Sequence, residues 1–103
     1  MAFHVTDRMG RMHGDPDVDL IHATLAELLA PHDGEHIDVS LTHESGWCLT
    51  AFTSGVLAWE HLEDGEPRHM KDVHMPRVRR LWLSLASGDL ATVEAEPWTT
   101  GYG

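Results

Sequence analysis

Residues 37–61 read IDVSLTHESGWCLTAFTSGVLAWEH, and the architecture of the chain follows from this stretch. Its opening residues, 37–42, alternate between apolar and polar side chains, which is the period-two pattern of a half-buried β-strand. Short polar segments that end in Gly46 and Gly55 are typical of turns. The predicted strands cover residues 37–42, 47–52, 56–61 and, after a hairpin signal at Asp64-Gly65, residues 68–70. We therefore expect an antiparallel β-meander of three to five short strands.

Amphipathic helices are predicted on both sides of the meander. The first begins at Asp15-Pro16, since Asp is a preferred N-cap and Pro is favoured at the first helical position, and it ends before Pro31. The second begins near Pro76 and ends before Gly88, which suits the left-handed position after a helix. Their apolar stripes consist of Val18, Ile21, Leu25 and Leu28 in the first helix and Val78, Leu81, Trp82 and Leu85 in the second. Meander and helices together predict an α+β fold of two layers, with the sheet packed against two helices.

The two ends of the chain carry weaker patterns. Residues 1–14 have no clear period and are interpreted as an N-terminal arm or a frayed edge strand, outside a single α+β domain at 15–103. The segment from Val93 to Trp98 predicts a short edge strand, because Pro97 cannot donate a hydrogen bond to a neighbouring strand. At 103 residues, with a hydrophobic fraction of 42% and four tryptophans, the chain is large enough to bury one core.

Composition argues against several classes of function. Seven basic residues against 17 acidic ones give a formal charge of −10, which disfavours nucleic acid or an anionic membrane as the main partner. Cys48 is the single cysteine, so neither a disulfide framework nor a multi-cysteine metal site can form. The first residues lack the pattern of a targeting sequence, and no apolar run is long enough to span a membrane. We expect a protein of the reduced cytoplasm.

No catalytic, cofactor-binding or metal-binding residues are predicted. The nine histidines do not form the H-E-x-x-H pattern of helical zinc sites and are interpreted as surface or hydrogen-bonded residues. His61, His69 and His74 would meet only if their three elements lay close together. Cys48 lies in a predicted strand within an acidic region, which favours packing over nucleophilic chemistry. Protonation of all nine histidines would remove most of the charge of −10, so a partner held by negative charge should be released on acidification.

The charged residues are segregated along the chain. Between His13 and Glu66 there is no lysine or arginine, and 12 of the 17 acidic residues lie there. Five of the seven basic residues follow within residues 68–80. One interpretation is a negative surface that docks on a positive partner, with electrostatic steering of the association. The other is an acidic protein whose charge keeps it soluble and monomeric.

The order of motifs resembles a known family. The pattern consists of Val39-Ser40-Leu41, Gly46-Trp47 with Leu49, Gly55 with Leu57 and Trp59-Glu60, a helix ending in Leu85-Ala86-Ser87-Gly88, and a closing segment from Val93 to Trp98. Over residues 37–98 this order is similar to small bacterial immunity proteins of polymorphic toxin systems, especially the family often found beside deaminase toxins.

The resemblance implies a cytoplasmic antitoxin that binds one cognate toxin domain and occludes its basic, nucleic-acid-acting cleft with an acidic surface. Such proteins have no catalytic residues, and direct binding to nucleic acid or membrane is not expected. The predicted contact residues are loop acids, with a tryptophan as an anchor if its side chain is exposed and not in the core. They are Glu44, Glu60, Glu63, Asp64, Glu66 and Trp59.

The sequence is also compatible with two other functions. An accessory subunit could bind a partner enzyme through the basic face of the second helix, where Arg77 and Arg80 lie. A small metal-binding protein could use the histidines.

Overall fold

The computed structural model describes residues 3–29, 38–63 and 66–101, which form one antiparallel sheet and three helices. The strands are β1 (Phe3–Thr6), β2 (Met12–Gly14), β3 (Asp38–His43), β4 (Trp47–Phe52), β5 (Leu57–His61), β6 (Arg68–Met70) and β7 (Thr99–Thr100). The helices are α1 (Val18–Ala26), which continues into a 3-10 turn at Glu27–Leu29, α2 (Met75–Ala86) and α3 (Leu90–Glu94). The strand order is β2-β1-β3-β4-β5-β6-β7. The α+β class is confirmed, and the described part of the chain has seven strands where the sequence predicted three to five.

The alternation of the meander places one face of the sheet under the helices. Leu41 lies opposite Val5 on one side and Leu49 on the other, and Leu49 lies opposite Trp59. These side chains are fully buried and form one core with the apolar stripe of α2. The buried residues of that stripe are Val78, Leu81, Trp82 and Leu85, as predicted. The fold is thus a sheet packed against helices in two layers.

Helix α1 begins later than the sequence predicted. Its N-cap is Asp17, whose side chain accepts a hydrogen bond from the N–H of Leu20. Asp15 instead has a φ of 44° and exchanges hydrogen bonds with the backbone of Phe3, so it ties the start of the helix to β1. Val18, which the stripe pattern places inward, is 51% exposed because the stripe reaches the core only in the second turn.

Residues 1–14, interpreted as an N-terminal arm or a frayed edge strand, contain β1 and the edge strand β2 in the part that the structure describes, so this part belongs to the sheet of the domain. Strand β1 pairs with β2 on one side and with β3 on the other, so it lies inside the sheet. Val5, at its centre, is fully buried. A strand of four residues is too short to show a clear period, and its main partner is a distant segment of the chain. The predicted helix end at Pro31 and the hairpin at Asp64-Gly65 lie outside the described residues.

The C-terminal segment also differs from its prediction. Residues Leu90–Glu94 form α3, and the edge strand predicted at 93–98 is wrong, because Asp89 caps this helix by accepting hydrogen bonds from the N–H and hydroxyl of Thr92. Gly88 joins α2 to α3 with the left-handed φ of +83° that the sequence predicted there. The edge strand on this side of the sheet is β7, which follows Pro97. None of the helices described in 3–29, 38–63 and 66–101 combines the length and apolar character needed to cross a membrane.

Candidate interaction surface

Separate chain segments meet at one end of the sheet, where β3 ends, β4 begins and β5 ends. The β3–β4 turn is joined to the β5–β6 connection by a hydrogen bond from the N–H of Leu62 to the carbonyl of Gly46, at 2.9 Å. The junction between α2 and α3 lies against the same turn, since a Cβ atom at Gly88 would stand 3.6 Å from Nε2 of His43. These contacts place residues that are far apart in the sequence on one surface.

This surface carries a concentration of exposed carboxylates. The start of α1 belongs to it as well, because Asp15 is bonded to Phe3, the partner of His43 in the sheet. The exposed acidic residues are Asp15, Asp17, Asp19, Glu44, Glu63, Glu66 and Asp89. We refer to these residues as the acidic end.

Internal hydrogen bonds keep the acidic end negative. Arg68, at the start of β6, donates to both carboxylate oxygens of Glu94, at 2.6 and 3.0 Å, so its charge is matched within the molecule. The hydrogen bonds from Thr92 hold the pKa of Asp89 below its usual value, so this carboxylate keeps its charge to lower pH than an ordinary aspartate. The surface therefore attracts a cationic partner.

Two histidines hold the turns of the acidic end in place. Nε2 of His61 donates to the carbonyl of Ser45 at 2.8 Å, and its Nδ1 accepts from the N–H of Glu63 at 3.2 Å. Nδ1 of His43 accepts from the N–H of Ser45 at 3.1 Å and lies 2.8 Å from the Ser45 hydroxyl. Nδ1 of each ring thus accepts a hydrogen bond from a backbone N–H of the adjoining turn. The carboxylates are thus mounted on turns that are hydrogen-bonded to each other.

Gly46 is required where these turns meet. Its φ is +93°, and a Cβ atom there would lie 2.7 Å from Nε2 of His61. We expect Gly46→Ala to lower the free energy of unfolding by about 2 kcal/mol, because backbone strain adds to the steric clash. The matched control is Gly10→Ala, where φ is +82° and no atom lies within 4 Å, so only the strain remains. Chemical denaturation should show a loss of about 1 kcal/mol for this control; equal losses in the two variants would contradict the close contact with His61.

The structure places the predicted contact residues in different environments. Those that are exposed at the acidic end are Glu44, Glu63 and Glu66. Glu60 is half-buried on the opposite face of the sheet from the core, since β5 places it beside Cys48 of β4. Asp64 lies outside the described residues.

Trp59 is a core residue and not a surface anchor. The register of β4 and β5 places it opposite Leu49 on the helix-covered face, and its exposure is 0%. Its ring stacks on those of Trp47 and Trp98, with centroids 4.5 and 6.1 Å away. Its Nε1 donates to Glu94 at 2.8 Å. The structure thus places Trp59 in the core, the alternative that the sequence left open beside a role as an exposed anchor.

Two residues of this surface, Leu62 and Asp89, were not predicted from the sequence. Leu62 is 63% exposed beside Glu63, and its position next to a buried strand gave no sign of that exposure. Asp89 has a sequence signal, since an Asp directly after the helix-ending Gly88 is typical of a new N-cap. Its proximity to the β3–β4 turn depends on the path of α2 and could not be seen in the sequence.

The histidines and the cysteine that the sequence offered for metal binding or catalysis lie apart from each other. His61 is at the acidic end, whereas His74 caps α2 at the opposite end of the sheet, and His69 donates through Nδ1 to the carbonyl of Gly101 at 2.8 Å. Burial raises the pKa of the Cys48 thiol, which suits a packing residue and not a nucleophile. Within residues 3–29, 38–63 and 66–101, no three His, Cys, Asp or Glu side chains are grouped so that they could hold a metal ion. The chain matches no family model, no curated protein and no solved structure.

Proposed function

We propose that this chain is an immunity protein: a non-catalytic antitoxin that binds one toxin domain and occludes its basic cleft with the acidic end. The observation that carries the proposal is the set of exposed carboxylates that separate segments bring to one surface. A cleft that holds nucleic acid presents lysine and arginine side chains to phosphates, and carboxylates can occupy the same positions. The toxin would act in the cytoplasm, so we assign the protein to that compartment.

Rigidity and charge both support a tight complex. Side chains mounted on turns that are bonded to each other lose less conformational freedom on binding than those on separate loops. The net charge of −10 raises the rate of association with a basic partner. Leu62 adds apolar surface that a partner would remove from water.

The two alternative functions have less support. An accessory subunit that binds through α2 would use Arg77 and Arg80, but Nε of Arg77 already donates to Glu96 at 2.7 Å. This alternative predicts that Arg80→Glu abolishes partner binding. A metal-binding function would need histidines that converge, and it predicts stoichiometric zinc or nickel in protein purified without a tag.

Charge reversal at the acidic end tests the proposal. We expect Glu44→Lys combined with Glu63→Lys to abolish the protection of cells that express a toxin encoded beside this gene. Binding to the toxin domain should weaken by roughly 100-fold, because two attractive contacts become repulsive. Both side chains are exposed, so the fold should be kept. Growth during co-expression and calorimetric dissociation constants measure the two effects.

Asp38→Lys is the matched control for Glu63→Lys. Asp38 is exposed at the opposite end of the sheet, beside Phe52, and its reversal changes the net charge by the same amount. Only the change at Glu63 should weaken binding. Equal weakening by both would mean that net charge, and not the acidic end, drives the association, and unchanged protection by the double variant would overturn the proposed mechanism.

A further inference from the structure

His61 joins the two turns of the acidic end through its ring. Its Nε2 donates to the carbonyl of Ser45 at 2.8 Å, and its Nδ1 accepts from the N–H of Glu63 at 3.2 Å. The ring therefore bridges the β3–β4 turn and the chain that follows β5. Packing also holds it, since its plane stands at 82° to that of Trp47, with centroids 5.1 Å apart, and a Cβ atom at Gly46 would lie 2.7 Å from Nε2.

The two hydrogen bonds fix where the ring of His61 carries its proton. A carbonyl oxygen only accepts, so Nε2 must donate the proton to Ser45. A backbone N–H only donates, so Nδ1 must present a lone pair to Glu63. A second proton would turn Nδ1 into a donor facing the N–H of Glu63, and this hydrogen bond would be lost. Histidine is the side chain that ordinarily titrates between about pH 5 and 8, so mild acid supplies that proton.

The groups around His61 make a second proton consequential for the whole surface. Arg68, on the neighbouring strand β6, donates to both carboxylate oxygens of Glu94, so its charge is matched within the molecule. Nδ1 of His43, the other titratable ring of the network, accepts from the N–H of Ser45. A positive charge on His61 would thus arise mainly among carboxylates. The charged or titratable groups around the ring on this side of the sheet are His43, Glu44, Glu63, Glu66, Arg68, Asp89 and Glu94.

We propose that His61 is a pH-sensitive latch of the acidic end. With a lone pair at Nδ1 the ring ties the two turns together and holds Glu63 in place. With a second proton it releases the N–H of Glu63 and adds positive charge among the carboxylates, so a cationic partner binds tightly near neutral pH and weakly in mild acid. The identity of that partner rests on the proposed function, whereas the latch is a property of the free chain. One histidine, and not the summed charge of all nine, controls the change.

An NMR titration of the free chain tests the latch without a partner. From about pH 7.5 to about pH 5.5, the amide proton of Glu63 should lose its hydrogen-bonded chemical shift in step with the ring ¹⁵N resonances of His61. Its exchange with water, corrected for the pH dependence of free amides, should become roughly tenfold faster. A Glu63 amide that keeps its shift and exchange rate while His61 titrates would overturn the proposal, as would a His61 ring that takes up no proton in this range.

His61→Asn and His74→Asn form a matched pair of variants, because each removes one titratable ring. Asparagine at position 61 gives up the bond to Ser45, but its side-chain oxygen can still accept from the N–H two residues later and takes up no proton. His74 is exposed at the opposite end of the sheet, and its side chain forms no capping bond to α2.

An oligoarginine peptide serves as the cationic probe, and the pH dependence of its affinity is compared between the variants. Over the same pH range the affinity should fall roughly tenfold in wild type and in His74→Asn, and roughly threefold in His61→Asn, where His43 still titrates. Equal pH dependence in the two variants would overturn the latch. Failure of the peptide to bind at any pH would count against the proposed function, whereas the NMR titration decides the latch by itself.

Discussion

Replacement of Trp59 with alanine should lower the free energy of unfolding by about 4 kcal/mol. Trp59 is fully buried, stacks on two other indole rings and donates a hydrogen bond to Glu94. Alanine would leave a cavity, remove the stacking with Trp47 and Trp98, and leave Glu94 with the guanidinium of Arg68 as its partner. A domain of this size has about 5–15 kcal/mol of stability, so this loss would be a large fraction of the total. Chemical denaturation followed by far-ultraviolet circular dichroism measures the change without relying on tryptophan fluorescence.

Two companion variants separate the contributions of Trp59. Trp59→Phe keeps a ring in the stack and removes only the Nε1 donor, so it should cost much less than alanine. Trp47→Ala removes a half-buried ring at the edge of the same stack and should also cost less. A loss in Trp47→Ala as large as that in Trp59→Ala would contradict the central position of Trp59 in the core.

Asp7→Ala should lower the free energy of unfolding by about 3 kcal/mol near neutral pH. The Asp7 side chain is 8% exposed and accepts hydrogen bonds from the N–H groups of Met9 and Arg11 and from Nε2 of His13, each at 3.0 Å. These bonds hold the loop between β1 and β2. Alanine would leave the donors without their acceptor in a partly buried position, which is more costly than the loss of the bonds alone.

The stabilities of the wild-type protein and of Asp7→Ala should also depend differently on pH. Burial by itself raises the pKa of Asp7. The hydrogen bond from His13, the hydrogen bonds from the N–H groups of Arg11 and Met9, and the charge of Arg11 lower it. These contributions outweigh burial, so the pKa is lowered from 3.8. The folded state thus favours the ionised carboxylate of Asp7. The stability that this carboxylate contributes is fully present above the pKa that Asp7 has in the unfolded chain. It is lost as the pH falls through the lower pKa that Asp7 has in the folded protein. The difference between wild type and Asp7→Ala should therefore shrink in acid.

Asp38→Ala is the control for Asp7→Ala, because Asp38 is exposed on β3. It should change stability little at any pH. Denaturation curves recorded from neutral pH to below the usual pKa range of aspartate measure the stabilities of wild type, Asp7→Ala and Asp38→Ala. Parallel curves for wild type and Asp7→Ala would show that the carboxylate of Asp7 contributes nothing as a charged acceptor.

The candidate site was only partly predictable from the sequence. Glu44, Glu63 and Glu66 follow turn or loop signals, so their exposure could be predicted from local pattern alone. Asp89 lies more than twenty residues from any of them in the sequence. It joins them because α2 runs back along the sheet and ends beside His43.

Local periodicity and turn signals determined the meander from β3 to β5, the short strand β6 and the inward face of α2. Alternation and helical spacing are encoded within a few neighbouring residues, so they can be recognised without knowledge of distant partners. Tertiary structure decided the insertion of β1 between β2 and β3, the core position of Trp59 and the gathering of carboxylates at one end. These features depend on which distant segments pair and in what register, and a shift of one residue in register would move every side chain of a strand to the other face.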